Sequence, residues 1–402
     1  MKHLSTLFAT GALALLGLGA QAQAPITVNG QLTASEVATS GYQLVGRFTG
    51  TRGFGDAGLL ALYAAADANN LYFFLAGTLE NNSGGVSNSL QLFIDRPGVA
   101  GVPVGTTLPL ATGAGSTSFA NTAIKLDLAP DLAIGIKGTG AANQVQVDGV
   151  AYTSATAGTA ATLTGTTPLA TNGTAGTIPA ANASGALGGF AGAQVAYTSS
   201  SLLSTNPGFA SNGNAPSNGL EIMVSRSAMG LPAAGGTVQI FALMNNGGGG
   251  YLSSDFIPQA TAPIPTNLGY PLPNLGGPQS GTPNAVDFAN IPGTQAASLN
   301  VTASGLTVLS SRSRNAVAVG LSVYPNPSRG EATVSYRVPA GSPAVRVELT
   351  DLLGRRVSTV FEGAQSAGQQ TQKVSSSGVT AGTYLLKVQV GEQVATQKVT
   401  VL

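Results

Sequence analysis

Val323-Tyr324-Pro325-Asn326-Pro327-Ser328-Arg329-Gly330 runs directly into Glu331-Ala332-Thr333-Val334-Ser335-Tyr336-Arg337-Val338. The two prolines and the asparagine forbid a helix in the first octet and favour an extended entry with a tight turn. In the second octet Ala332, Val334, Tyr336 and Val338 alternate with Thr333, Ser335 and Arg337, the period of a half-buried strand. The same alternation continues outward. Val345, Val347 and Leu349 alternate with Arg346 and Glu348, and Asp351-Leu352-Leu353-Gly354-Arg355-Arg356-Val357 supplies a glycine turn and a basic restart. Ala381-Gly382-Thr383-Tyr384 begins a strand with Tyr384, Leu386, Val388 and Val390 on its core face. Gly391-Glu392 reads as a hairpin turn, and Val394 to Leu402 as the last strand. Residues 321–402 therefore read as a small all-β module.

These segments together resemble the type A C-terminal sorting domain of the bacterial type IX secretion system. The matching elements are Tyr324-Pro325-Asn326-Pro327, Leu353-Gly354-Arg355, Gly382-Thr383-Tyr384 and the terminal Lys398-Val399-Thr400-Val401-Leu402. The resemblance implies an Ig-like β-sandwich recognised by the type IX machinery, an address and not an activity. It implies removal of the module after export, with the passenger released or attached to surface polysaccharide. Tyr324, Pro325, Asn326, Pro327, Gly354, Arg355, Gly382, Thr383, Tyr384 and Lys398 are the signature positions carried over. Gly354 and the Pro-Asn-Pro turn read as backbone determinants.

The opposite end of the chain carries a complementary address. Lys2 and His3 precede an apolar run from Leu4 to Ala20, and Ala20-Gln21-Ala22 is a small-x-small cleavage site. Residues 1–22 are expected to be a secretory signal peptide. No later stretch is apolar enough to span a bilayer as a helix, so the expected location is extracellular or at the cell surface, via the periplasm. Charge separates what lies between. Residues 23–311 hold six Lys/Arg and eleven Asp/Glu, net −5, whereas residues 312–402 hold ten and five, net +5. That asymmetry supports a boundary near residue 310, with a linker expected over 302–320.

The passenger, 23–301, reads as many short strands with Gly/Asn turns and almost no helix, hence a β-sandwich. Strands are expected over Gly58 to Glu80, Ser89 to Asp95, Ile124 to Lys137, Gln144 to Thr153, Leu220 to Val224 and Thr237 to Met244. Asp148-Gly149 reads as a two-residue hairpin turn. Residues 154–192 are low in complexity and expected to be a surface excursion. Pro258 to Pro292 is too dense in proline and glycine for regular structure. Val28-Asn29-Gly30-Gln31-Leu32, Asp67 to Leu75, Leu92-Phe93-Ile94-Asp95 and Gly219-Leu220-Glu221-Ile222 resemble carbohydrate-binding-like β-sandwich modules. That family's opening motif commonly has Asp where this chain has Asn29.

The chain has no cysteine, and its one histidine, His3, leaves with the signal peptide. Ser-His-Asp, Cys-His and His-zinc chemistries are thereby excluded. Net charge of +1 and the absence of basic-aromatic patches argue against nucleic acid. Two chemistries survive. Eleven passenger acids allow a glycosidase pair, but nothing selects one. Asp95, Asp127 and Asp131 are the candidates for a structural calcium, against the simpler reading of solvated turn acids. Glu80 and Glu221 are expected at strand ends or on solvent faces. For a glycan, the aromatics near loops matter most, and Tyr251 and Phe256 are the candidate ligand-binding residues. No other cofactor is implied. The expected protein is a non-catalytic glycan-binding or surface-interaction module. A structural or adhesive surface protein and a two-carboxylate glycosidase are the alternatives.

Overall fold

A computed structural model of the chain describes residues 24–82, 84–200, 214–277, 286–309, 321–338, 344–351, 355–375, 378–390 and 393–402. The expected signal peptide, Leu353, Gly354 and the expected turn at 391–392 lie outside the described residues. The architecture is all-β, and the passenger is a sandwich of two large antiparallel sheets. One runs in the order Gly176–Thr177, Gln194–Tyr197, Ser217–Ser225, Asn70–Thr78, Gly58–Ala66, Gln43–Arg47, with Gln31–Leu32 also paired to Ser217–Ser225. The other runs Ala157–Thr162, Gln144–Ser154, Leu132–Gly138, Ser89–Asp95, Gly236–Asn245, Ala297–Thr302, Gly305–Leu309. Leu169–Ala170 joins it beside Gln144–Ser154, and Leu252–Ile257 beside Gly236–Asn245.

Between the sheets lies one core, with Leu62, Ala64, Phe73 and Leu75 from the first and Leu92, Ile134, Val147 and Ile240 from the second. Both outer faces are covered as well. Val28, Leu32 and Tyr42 lie over Ala61, Tyr63 and Phe74 of the first sheet. The second sheet's outer face, with Phe93, Val150, Phe241 and Leu243, is roofed by Leu108, Phe119, Ile124 and Leu126 from one side. Leu275, Val286, Phe288 and Ile291 roof it from the other. The ring of Phe288 packs 4.8 Å from Phe241 and 5.1 Å from Phe256 between centroids. This double covering explains why Gly58–Ala66 is buried at all nine positions and is apolar throughout.

Several expectations change. Asp148-Gly149 is not a turn: Gln144–Ser154 runs through it as one strand. The Asp148 carboxylate is buried, accepting from the Ser118 amide at 2.8 Å and from Gln146 Nε2 at 2.6 Å. Gly149 has a packing role, since a Cβ there would lie 2.8 Å from Leu163 Cδ1. Ile124, Leu126 and Leu128 belong to the roof, and the strand expected from Ile124 begins only at Leu132. The 154–192 tract is not a surface excursion: Leu163, Ile178, Leu187 and Phe190 are buried in the central core. Within the expected linker, Gly305–Leu309 pairs with Ala297–Thr302, so the sheet reaches Leu309. Residues 310–320 lie outside the described residues. One short helix, Ala34–Thr39, carries a capping box between Thr33 and Glu36.

The C-terminal module is a smaller Ig-like sandwich. A three-stranded sheet, Ser322–Tyr324, Glu331–Val338, Gly368–Ser375, faces a four-stranded one, Arg356–Ala364, Ala344–Thr350, Gly382–Val390, Gln393–Val401. Ala332, Val334, Tyr336 and Val338 are buried as the alternation requires, and they pack with Val347, Leu349, Leu386 and Val388. Thr333, Arg337 and Glu331 face water.

Candidate functional site

In the C-terminal module the signature segments, far apart in sequence, meet at one end. Gly382, Thr383 and Tyr384 lie directly across from Val401, Thr400 and Val399, and Leu385 lies across from Lys398. Gln393–Val401 is an outer strand of its sheet, so its far edge offers unpaired backbone groups. The entry turn covers part of that edge. Asn326 Nδ2 donates to the Lys398 carbonyl at 2.8 Å, and the Thr400 amide donates to Asn326 Oδ1 at 2.9 Å. The side-chain amide thus pairs with the strand as a peptide group would. Next to it the Ser328 amide donates to the Thr400 carbonyl at 2.8 Å, and the Leu402 amide to the Ser328 carbonyl at 2.9 Å.

Of the third segment, Arg355 is described and sits at the same end. Thr350 is paired with Leu385, which puts Asp351 beside Tyr384. Asp351 accepts from the Arg355 amide at 2.9 Å and from Arg355 Nε at 2.7 Å. Tyr384 donates its hydroxyl to the Thr380 carbonyl at 2.6 Å. Tyr324 is 80% exposed, and Pro325, Pro327 and Lys398 are exposed as well. Two of the module's basic side chains are paired: Arg355 with Asp351, and Arg356 at 3.7 Å from Glu348. Among the described residues Lys398 has no ion-pair partner.

The passenger carries a groove of about 590 Å³ on its roofed side. Phe48 and Phe256 form part of its wall, with Ile264, Leu272, Pro263 and Pro273 opposite. Polar groups rim it. Gln259 Oε1 accepts from the Thr49 amide at 2.7 Å, and Ser254 Oγ donates to the Thr51 carbonyl at 2.7 Å. Asp255 builds the wall without entering it. Fully buried, its carboxylate accepts from the Gly53 and Leu59 amides, both at 3.2 Å, and from Ser253 Oγ at 2.8 Å, tying the 49–57 loop to Leu252–Ile257. Burial pushes this carboxyl above its ordinary value against those bonds.

Phe256 is therefore not a loop aromatic. It lies in a strand, 1% exposed, packed on Phe241 and Phe288, and only floors the groove. Tyr251 is half-buried and stacks on Phe54 at 6.2 Å between centroids, 20° from parallel. The residues around the groove come from 48–51, 254–264 and 272–273. No spacing in the sequence could have joined them.

The three calcium candidates are each held by local structure. Asp131 is paired with Arg96, accepting from its Nε and, at 2.7 Å, from its backbone amide. Asp127 accepts from the Gln295 amide at 2.7 Å, and Asp95 from the Ala129 amide at 3.3 Å. Among the described residues no three acidic side chains converge on one point. Burial raises the Asp131 carboxyl despite Arg96, and raises Asp95 as well. Glu221 departs furthest from expectation. It is fully buried under the N-terminal segment, accepting from the Asn29 amide at 2.8 Å, the Gly30 amide at 3.0 Å and the Tyr42 hydroxyl at 2.8 Å. Burial pushes its carboxyl up to about 7. The sequence offered no sign of this role, because the N-terminal segment that covers Glu221 is remote in the chain.

Residues 322–402 match the family described as the secretion system C-terminal sorting domain. This module is a type IX sorting domain, and it directs the chain to the extracellular space or cell surface through the type IX machinery. No curated protein matches. Among solved structures, the BSP domain of a biofilm associated protein aligns at 7% identity, TM-score 0.16, over 94% of this chain and 53% of that one. Dimeric latent PorU from Porphyromonas gingivalis aligns at 13% identity, TM-score 0.19, over 90% of this chain and 34% of that one. The chain thus spans about half and about a third of their lengths, and both likenesses fall below what a shared fold requires. No helix among the described residues is long and apolar enough to cross a membrane.

Proposed function

We propose that the exported passenger is a non-catalytic surface-interaction module that takes a glycan in the Phe48–Pro273 groove. The observation that carries this reading is the groove's composition: apolar walls, an amide and hydroxyl rim, and no titratable side chain among its lining residues. Sugar rings present CH faces that pack on aromatic and proline surfaces, and hydroxyls that suit Gln259, Thr49 and Thr51. A two-carboxylate hydrolase needs acids about 5–10 Å apart across the substrate, whereas Asp255, flanked in the chain by the lining residues Ser254 and Phe256, is engaged by the Gly53 and Leu59 amides. The adhesive alternative rests on low charge and on the 154–192 tract, and that tract is folded into the sandwich core.

The test is a glycan panel titrated against the purified chain. Ala262 is exposed and lines the groove, so Ala262→Trp fills the site without touching the core. A saturable binding component that Ala262→Trp removes is the expected outcome. A flat panel, or binding indifferent to that substitution, refutes the assignment.

A further inference from the structure

A second cavity, of about 520 Å³, lies at the seam joining the two passenger sheets. Leu169–Ala170 pairs with Val145 and Gln144 of the second sheet, and Asn172 bridges to Thr198 beside the first. The Thr171 amide donates to the Asn143 carbonyl at 3.1 Å, and the Ser199 amide to the Thr171 carbonyl at 2.9 Å. Backbone from both sheets therefore fixes the cavity's position. Its lining is Asn81, Asn143, Thr171, Asn172, Ser199 and Ser200 with one alanine methyl, and it holds no charge.

These side chains are only partly used. Asn81 Nδ2 donates to Asn143 Oδ1 at 3.2 Å, and Asn172 Oδ1 accepts from the Thr174 amide at 3.1 Å. Asn143 is held at φ 58°, a left-handed conformation that few residues other than glycine adopt. Ser200 is 4% exposed, and its buried hydroxyl has no hydrogen-bond partner among the described residues. The amides of Asn81, Asn143 and Asn172 and the hydroxyls of Thr171 and Ser199 surround a cavity large enough for another molecule.

We propose that this seam is a binding site for an uncharged, hydroxyl-rich ligand, a neutral saccharide. Amides and hydroxyls both donate and accept, as sugar hydroxyls do. An ionised ligand would lose its hydration here with no opposite charge to replace it. The site is separate from the Phe48–Pro273 groove and does not depend on it.

The test is calorimetric titration of the full chain with trimers of neutral hexoses and of N-acetylglucosamine, with a uronic acid trimer as the charged control. Neutral trimers are expected to bind and the uronate not to. Asn172→Asp, which places a charge in the cavity at nearly constant volume, is expected to cut affinity at least about tenfold. Asn172→Ala is expected to cut it by about three- to tenfold while leaving the melting temperature unchanged, because Asn172 is exposed and lines the cavity. Ala262→Trp in the groove should leave this binding intact, which separates failure of this site from failure of the groove. Binding by none of the neutral trimers, equal binding of the uronate, or indifference to both cavity variants overturns the proposal. Ordered water as the sole occupant would give the first of these results.

Discussion

The passenger and the sorting domain are both β-sandwiches, but they bury their strands differently. In the sorting domain Glu331–Val338 alternates between exposed and buried residues, because one face meets the core and the other meets water. In the passenger Gly58–Ala66 and Leu252–Ile257 are buried at every position. The difference lies in the loops. The sorting domain has short connections, whereas the passenger's N-terminal segment and its proline-rich 258–292 stretch add outer layers to the two sheets. Adding a layer creates grooves where roof and sheet part, and the Phe48–Pro273 groove is one of them. The sorting domain instead presents its information on exposed turns and on an outer strand.

The largest effect should come from the outer layer itself. Phe241→Ala removes a ring between sheet and roof and should cost about 3–5 kcal/mol in chemical denaturation of the passenger. Thr333→Ala, on the open face of the sorting domain, should stay within about 0.5 kcal/mol. A cost near zero for Phe241→Ala would abolish the contrast between the two regions.

Second is a pH dependence confined to the passenger. The Glu221 carboxyl titrates at about 7 in the folded protein against an ordinary 4.5. The folded state thus keeps a proton that the unfolded chain releases. The associated stability is full below pH 4.5 and is lost as pH rises through 7, about 3 kcal/mol in all. Glu221→Gln should flatten that decline, and denaturation midpoints between pH 4 and 8 measure it. An unchanged pH profile in the variant would show that another group carries the dependence.

Third is the link between the ends of the sorting domain. Asn326→Ala removes both bonds to the terminal strand and should cost the domain about 1–2 kcal/mol. Accumulation of unexported chain, scored by fractionation, would show whether that end is what the machinery reads. Among the charged positions, Arg355→Glu should have only a small effect on stability. The exposed Arg355–Asp351 pair is worth no more than about 1 kcal/mol. Export should nevertheless fall if basic charge assists docking, and normal export of the Arg355→Glu, Arg356→Glu double variant would argue against that role.

Much of the sorting domain is legible in its sequence. Period-two alternation identifies which of Val334, Tyr336, Val347, Leu386 and Val388 turn inward, because one layer of water and one of core leave a clear imprint. The passenger is less legible for the same reason reversed: doubly covered strands lose their alternation, and a roof residue such as Ile124 is as apolar as a strand residue. Asp148-Gly149 shows the limit of local turn chemistry. Its composition is that of a hairpin, yet the Ser118 amide and the packing of Leu163 hold it in a strand. The α-helix Ala34–Thr39 was not anticipated, although the Thr33-Ala34-Ser35-Glu36 capping box that starts it is local in the sequence.

By itself the sequence determined the all-β class, the export address in the last 82 residues, and the exclusion of histidine and cysteine chemistry from the passenger. Those follow from composition, short-range periodicity and local turns, which a linear string carries in full. Only the tertiary structure decided which side chains share a surface. It joined Asn326 to Lys398 and Thr400, buried Glu221 beneath Asn29 and Gly30, and drew Asn81, Asn172 and Ser200 around one cavity. Each of these contacts spans a long separation along the chain, and such contacts are set by sheet order and by which loop covers which face.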